Sequence, residues 1–299
     1  MDTRARLWLL LIVLGAAAAG LALVASSPYP GVSVDSGEYL AVADGLLDGK
    51  GLTMPYAGYD EAYRILSPGE RVPMTQFPPL YPSVLALVAG IADASLLVVA
   101  RAIGALMYAV LVATGTYLVW RATRRLWPAV VAGGLLLAAD LVTIHAMAWS
   151  EQLMLLGLCG CLVFATRYWE GRALVDVVGL GACAVVASMA RFAGVSTAIA
   201  GALVVWLARS GTARTRLSRA GSFLGLTLVP TIAWFVRNSL VTGAVSDKEP
   251  AWHPPSLTVL GQAVQTIGGW IVPWRAATMA TGVAVVAAVV AATVRRARS

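Results

Sequence analysis

Charged side chains are scarce in this sequence of 299 residues. Asp, Glu, Lys and Arg together make up 12%, whereas hydrophobic residues make up 59%. Soluble domains usually hold about 25% charged and about 45–50% apolar residues. So few charges cannot cover the surface of a soluble domain of this size. The composition therefore excludes a soluble globular enzyme and predicts a chain that mostly faces lipid.

Cysteine and histidine are also rare, which argues against two kinds of site. Cys159, Cys161 and Cys183 all lie inside apolar runs. They are therefore predicted to be small packing residues rather than parts of a disulfide framework or a thiolate metal site. His145 and His253 are far apart in the sequence and form no metal-ligand motif.

Long apolar runs are abundant, and eight of them suit membrane helices, which need roughly 20 mainly apolar residues. They lie near residues 7–26, 96–120, 128–143, 152–168, 174–190, 195–208, 221–236 and 271–294. A shorter apolar stretch, 80–91, predicts an interfacial or re-entrant helix. The predicted fold class is therefore all-α, a polytopic membrane protein of about eight transmembrane helices that form one integral membrane domain over residues 1–299.

The basic residues indicate the orientation of these spans. With the N-terminus cytoplasmic, 14 of the 22 Lys and Arg residues fall on the termini and on alternate connections, as the positive-inside rule requires. The chain is thus predicted to be an integral protein of the plasma (inner) membrane with both termini in the cytoplasm. The first span is predicted to be an uncleaved anchor. The net charge of +7 is spread over short loops and the termini, so nucleic-acid binding is disfavoured.

Two extracytoplasmic connections are long, 27–95 and 237–270, and long loops in compact membrane proteins are usually functional. Residues 27–79 alone contain seven of the 15 acids. The second connection includes Asp247, Lys248, Glu249 and His253. Chemistry is therefore expected on the extracytoplasmic face.

An amphipathic juxtamembrane helix is predicted in the first long loop, from Asp35 to Asp48, resting on the membrane surface. At helical spacing Asp35, Glu38 and Tyr39 share one face of its first turn, so two carboxylates and a phenol converge there. A capping box, with Asp35 as the N-cap and Glu38 three residues later, explains the same spacing without catalysis. The residues by themselves leave both interpretations open.

Further candidates lie at the outer ends of later spans. Ser150 and Glu151 open the fourth span, where they could cap the helix or help to build a site. Arg191 and Arg237 end the fifth and seventh spans against the positive-inside tendency. Each could bind a phosphate or pair with an acid, and an interfacial salt bridge or a snorkelling side chain explains each equally well.

Four motifs in this order resemble the GT-C superfamily of membrane glycosyltransferases, especially the protein mannosyltransferase and aminoarabinose transferase branch. The motifs are Asp35-x-x-x-Tyr39-x-x-x-Ala43-x-x-Leu46-x-x-Gly49; Phe77-Pro78-Pro79-Leu80-Tyr81-Pro82; Ser150-Glu151; and Trp234-x-x-Arg237-Asn238 with Thr242-Gly243. The resemblance extends from the first span through the seventh.

The resemblance implies inverting transfer of a hexose or pentose from a polyprenyl-phosphate-linked donor to a hydroxyl of a lipid, glycan or protein acceptor. Asp35 and Glu151 match the family's first-loop and second-loop acids, Asp35 as general base. The candidates for substrate binding are Glu38, Tyr39, Tyr81, Arg191 and Arg237. A lipid-linked donor also agrees with the lack of an Asp-x-Asp motif and of a glycine-rich nucleotide loop. Family members differ in their use of a divalent metal, which leaves a metal cofactor open.

Two other functions compete with this enzyme. One is a transporter or flippase for a lipid-linked glycan, although the sequence shows no convincing internal repeat. The other is a non-catalytic, glycosyltransferase-like subunit, which the short stretch after the eighth span favours, since family members are commonly longer. An outward cavity that contains Asp35 and Glu151 within roughly one sugar's width and joins a lipid-open groove would favour the enzyme, and carboxylates that point apart would favour the non-catalytic subunit.

Overall fold

The fold is all-α apart from one pair of short strands. A computed structural model describes residues 2–56, 69–171, 173–208, 211–246, 256–269 and 279–287. Its elements are α1 (Thr3–Ala25), α2 (Val34–Leu47), β1 (Thr53–Met54), β2 (Val72–Pro73), α3 (Leu80–Ala92), α4 (Leu96–Thr123), α5 (Leu126–Ala138), α6 (Leu141–Ala146), α7 (Glu151–Gly171), α8 (Leu174–Ala190), α9 (Val195–Leu207), α10 (Ala213–Thr242) and α11 (Leu257–Gly269). Residues 279–287 are also helical.

Two compact units divide the chain. One contains Met1–Leu137 and Leu141–Lys248, and the other contains Ala138–Asp140 and Glu249–Ser299. The residues that carry the candidate chemistry belong to the first unit. Several polar residues that the sequence singled out lie outside the described residues; these are Asp60, Glu61, Asp247, Lys248, Glu249 and His253.

In the described part of the chain, four helices are long and apolar enough to cross a membrane, namely α1, α4, α7 and α10. They coincide with the first, second, fourth and seventh predicted spans and confirm the membrane-protein class. The third, fifth and sixth predicted spans are apolar helices of at most 17 residues, α5, α8 and α9. Most of the eighth, 271–294, lies outside the described residues, so the count of eight stays a prediction. The short apolar stretch at 80–91 forms α3.

The third predicted span, 128–143, is broken. α5 ends at Ala138 and α6 begins at Leu141. The last four carbonyls of a helix lack partners within it, and at this end Tyr108 supplies one. Its hydroxyl donates to the Leu136 carbonyl at 3.0 Å. The prediction of one continuous helix over this span was wrong. The hydroxyl of Tyr108, on a separate helix, donates to a carbonyl that the break leaves without a partner in its own helix.

The start of α2 corrects one interpretation of the acidic loop. Ser33, and not Asp35, is the N-cap: its hydroxyl accepts from the Ser36 backbone N–H, and the Ser36 hydroxyl accepts from the Ser33 N–H. This is the reciprocal geometry of a capping box, built from two serines. The predicted capping box of Asp35 and Glu38 is therefore wrong, and the Asp35 carboxylate lies in the first turn without a capping role.

The second half of α2 is held by Arg71, whose side chain reaches across from the start of β2. Its Nη2 donates to the carbonyl oxygens of Thr53 at 2.7 Å and Ala41 at 3.2 Å, and its Nε donates to the Thr53 hydroxyl at 2.8 Å. β1 and β2 are antiparallel, with Thr53 opposite Pro73. α2 also packs on α3 through the buried Tyr39 and Ala43. The helix therefore belongs to a folded cap on the bundle.

Small residues bring α7 and α8 close together. A Cβ at Gly157 would lie 2.7 Å from the Cys183 carbonyl oxygen and 2.8 Å from the Ala187 nitrogen, so the two backbones are in direct contact. Close approach through small residues is the usual way in which membrane helices associate without a hydrophobic driving force. The tight, antiparallel pair places the first residue of α7 beside the last residue of α8.

Replacing Gly157 by leucine should therefore separate α7 from α8. We expect a loss of about 1–3 kcal/mol in the free energy of unfolding, the range for overpacking a close contact. Gly134→Leu, on α5, is the matched control, since a Cβ there meets nothing within 4 Å. Unfolding of both variants in one detergent, followed by circular dichroism, provides the measurement. Equal unfolding midpoints for the two variants would contradict the close contact.

Candidate functional site

Glu151 and Arg191 form a short ion pair at the open end of the α7–α8 pair. Glu151 is the first residue of α7, and Arg191 follows Ala190, the last residue of α8. Arg191 Nη1 lies 2.6 Å from Glu151 Oε1, the distance of a charge-assisted hydrogen bond. Glu151 also gains from the positive end of the α7 dipole. The close packing of α7 on α8 thus fixes one acid against one guanidinium.

Asp35 brings a second carboxylate to the same guanidinium. Its Oδ2 lies 3.7 Å from Arg191 Nη1, which is an ion-pair distance but too long for a hydrogen bond. The two carboxylates therefore converge on one nitrogen, and their oxygens are separated by no more than the sum of the two distances. The side chains of Asp35, Glu151 and Arg191 are each 25% exposed. We call these three residues the charge triad.

Two parallel backbone segments place the acids of the triad side by side. Gly31 donates to the Ala146 carbonyl and accepts from the Ala148 N–H, both at 2.9 Å, which pairs Gly31 with Met147 in a parallel bridge. Two residues further along each segment, Trp149 Nε1 donates to the Ser33 hydroxyl at 2.7 Å. After two more residues come Asp35 and Glu151.

Ser150 links the same region to a buried aromatic cluster. Its hydroxyl, fully buried, lies 2.9 Å from the Tyr39 hydroxyl. The Tyr39 ring packs edge-on against Tyr81, with the centroids 5.2 Å apart. It also packs, tilted, on Phe77, with the centroids 5.0 Å apart. Burial raises the pKa of Tyr39, so its phenol stays protonated at neutral pH and can donate to Ser150. Trp149, Ser150 and Glu151 thus each contact a different partner.

Tyr81 forms the back of the aromatic cluster. Its side chain is fully buried, and its hydroxyl finds no hydrogen-bond partner in the described part of the chain. The second carboxylate oxygen of Glu151, Oε2, is likewise buried without a hydrogen-bond partner among those residues. Tyr39 contacts Ser150, the residue before Glu151, and Tyr81 packs on Tyr39. Both rings are fully buried, so neither is open to a substrate in this conformation.

Glu38, a second acid of α2, contacts Gln76. It is fully buried, and when the Gln76 amide is oriented to donate, its nitrogen lies 2.9 Å from Glu38 Oε1 and 3.2 Å from Oε2. Glu38 therefore fastens α2 to the buried segment before α3. Helical spacing predicts a shared face for Asp35 and Glu38, and of these two Asp35 forms an ion pair with Arg191. Direct contact of Glu38 with a substrate stays a prediction.

Arg237 also lies in a different cluster. Its Nη1 donates to the Met74 carbonyl at 2.8 Å and to Asn238 Oδ1 at 3.1 Å, and the guanidinium lies 4.8 Å from the centre of the Trp234 ring. Asn238 donates to the Thr75 carbonyl at 3.2 Å. Arg237 and Asn238 therefore bind the loop segment that Gln76 also joins to α2. A role for Arg237 in phosphate binding stays a prediction.

Ser33 and Gln76 are parts of this arrangement that the sequence did not single out. The spacing Ser33-x-x-Ser36 is a capping pattern that a search for Glu or Gln at the third residue overlooks. Gln76 carries no local signal, since its role depends on a buried acid from another element. In the described ranges, no three His, Cys, Asp or Glu residues come together as a metal site.

The triad stands on a partly exposed surface. Two cavities of the described residues lie elsewhere, one among α8, α9 and α10 and one near the end of α10. Neither of these two cavities is lined by Asp35 or Glu151. Comparison with family models, curated protein sequences and solved structures finds no match to this chain.

Proposed function

We propose that this protein is an extracytoplasmic glycosyltransferase of the GT-C kind, which moves a sugar from a polyprenyl-phosphate-linked donor to an acceptor hydroxyl. One observation carries the proposal, namely that Asp35 and Glu151, remote in sequence, converge on Arg191 at one end of a bundle with membrane-spanning helices. Acid residues placed together with a cation in a partly exposed site suit an acid–base reaction.

Asp35 is the base in the proposed reaction. Its carboxylate takes the proton of the acceptor hydroxyl as the oxygen attacks the anomeric carbon of the sugar. The bond from that carbon to the phosphate oxygen breaks, polyprenyl phosphate leaves with the electron pair, and the anomeric configuration inverts. The 3.7 Å separation from Arg191 supports this role, because it is an ion-pair distance and the Asp35 side chain is 25% exposed.

Arg191 and Glu151 have complementary roles. The guanidinium stabilises the charge that develops on the departing phosphate, and Glu151 fixes the position of the guanidinium through its 2.6 Å contact. By the positive-inside rule, the arginines of the short connections support cytoplasmic termini, and with that orientation the triad would lie on the outer face of the plasma membrane.

The direct test uses the purified full-length chain in detergent. The chain is incubated with labelled polyprenyl-phosphate mannose, glucose and arabinose, each with membrane extract as the source of acceptors, with and without Mg²⁺. We expect one donor to yield a labelled acceptor together with stoichiometric free polyprenyl phosphate. A heat-inactivated sample is the control. Absence of transfer from every donor by folded protein would contradict the proposal. In a second sample reconstituted into vesicles, movement of intact donor across the membrane without transfer would favour the flippase instead.

A further inference from the structure

A groove runs along the first unit at the end away from the charge triad. It lies among α8, α9 and α10 and has a volume of about 790 Å³. Apolar side chains of α8 and α10 form most of its lining, including Val178, Val185 and Leu226, and hydroxyls of Ser218 and Ser222 line one end. The rim is apolar and open, with Val178 62% and Leu226 73% exposed.

The groove has the depth of one membrane leaflet. On α10 its lining extends from Ser218 to Thr227, which corresponds to about 14 Å at the rise of an α-helix. The hydrocarbon core of a bilayer is about 30 Å thick, so the groove covers about half of it. Because α10 is one of the four helices able to span the membrane, this depth suits the acyl chain of a lipid from one leaflet.

Arginine supplies the charge of the groove lining in the described residues. Arg219 is the charged residue of the described lining, and Arg214 and Arg216 lie in the preceding turns of α10. The acid nearest in sequence to the α8 part of the lining is Asp176, which is 4% exposed and bonded to Arg167 at 2.6 Å. An arginine beside two serine hydroxyls offers a charge and donors to a phosphate, and basic residues at a membrane surface attract anionic lipids.

We propose that this groove binds one anionic phospholipid, with an acyl chain along α8 and α10 and its phosphate at Arg219. The site is separate from the charge triad, since no triad residue lines the groove and Arg219 lies on α10, which contributes no residue to the triad. The lipid would fill the apolar groove among the three helices and so stabilise their packing. This inference does not depend on the proposed glycosyl transfer.

Native mass spectrometry of the full chain, purified in a non-ionic detergent, tests the proposal. The probes are phosphatidylglycerol and phosphatidylcholine with the same palmitoyl and oleoyl chains. We expect one retained phosphatidylglycerol per chain, at a level about fivefold above phosphatidylcholine, which is the effect of one arginine near an anionic lipid. Arg219→Gln should bring the two lipids to equal retention.

A steric variant and a charge control complete the experiment. Ala182→Trp, at an exposed position of the lining, should abolish retention of both lipids by filling the groove. Arg125→Gln removes an exposed arginine outside the lining and should leave the preference unchanged. Equal retention of the two lipids by the wild-type chain would overturn the proposal. Retention that neither Arg219→Gln nor Ala182→Trp alters, or a dimer in place of the lipid adduct, would also overturn it.

Discussion

Asp35→Asn is expected to reduce sugar transfer from the polyprenyl-phosphate donor by at least about 100-fold, which is the lower end of the contribution of a general base. The amide preserves the shape of the side chain but cannot take the acceptor's proton. The rate is measured as label transferred to acceptor by the purified variant. Transfer at the wild-type rate would exclude Asp35 as the base.

Asp44→Asn is the matched control for this experiment. Asp44 lies on α2 as Asp35 does, but it is exposed and forms no part of the triad. We expect its activity to stay within about twofold of wild type, because exposed polar substitutions away from a site have small effects. Asp35→Asn should also keep its fold, since the Glu151–Arg191 contact of 2.6 Å does not involve Asp35. Loss of activity with an unchanged unfolding midpoint would therefore separate chemistry from stability.

Arg191→Gln should impair both stability and transfer. It leaves two carboxylates, each 25% exposed, close together without the cation between them. We expect a loss of about 1–3 kcal/mol in the free energy of unfolding, below the range for a fully buried pair because solvent screens part of the repulsion. Transfer should fall by at least about 100-fold, as for removal of one donor that stabilises developing charge.

The double variant Arg191→Gln with Glu151→Gln isolates the electrostatic part. Removing one of the two negative charges relieves the repulsion, so the double variant should be more stable than Arg191→Gln and still inactive. Chemical denaturation of both variants and of Glu151→Gln closes the cycle. Strictly additive changes in the free energy of unfolding would mean that Glu151 and Arg191 do not interact, contrary to the geometry.

The sequence predicted the parts of the site that depend on helix ends. Asp35 and Glu151 were placed on the same side of the membrane by counting spans, and in the structure both contact Arg191. The helix at 80–91 and the positions of α1, α4, α7 and α10 follow from apolar runs, which single sequences report well. Long apolar helices are predictable because their burial in lipid needs no specific tertiary partner.

Most of the features that the sequence missed depend on contacts between distant elements. The break after Ala138 is satisfied by the Tyr108 hydroxyl of another helix, and local periodicity carries no trace of it. On a helical wheel Asp35 and Glu38 are equally well placed to contribute to a site. In the structure, however, Glu38 makes a buried contact with Gln76. The N-cap of α2 was within reach of local reasoning, but the acidic pattern of Asp35 and Glu38 fitted the standard capping signature better than two serines did.

The parallel pairing of the segments that start at Gly31 and Met147 also limits how the chain length can vary. Gly31 with Met147, Ser33 with Trp149, and Asp35 with Glu151 all stand at one constant offset, the 116 residues that separate Ser33 from Trp149. A single insertion in either segment would shift its acid by one residue and turn it to another side. The two loops can therefore tolerate insertions only outside these segments, or matched insertions within both, which couples the permitted lengths of regions more than a hundred residues apart.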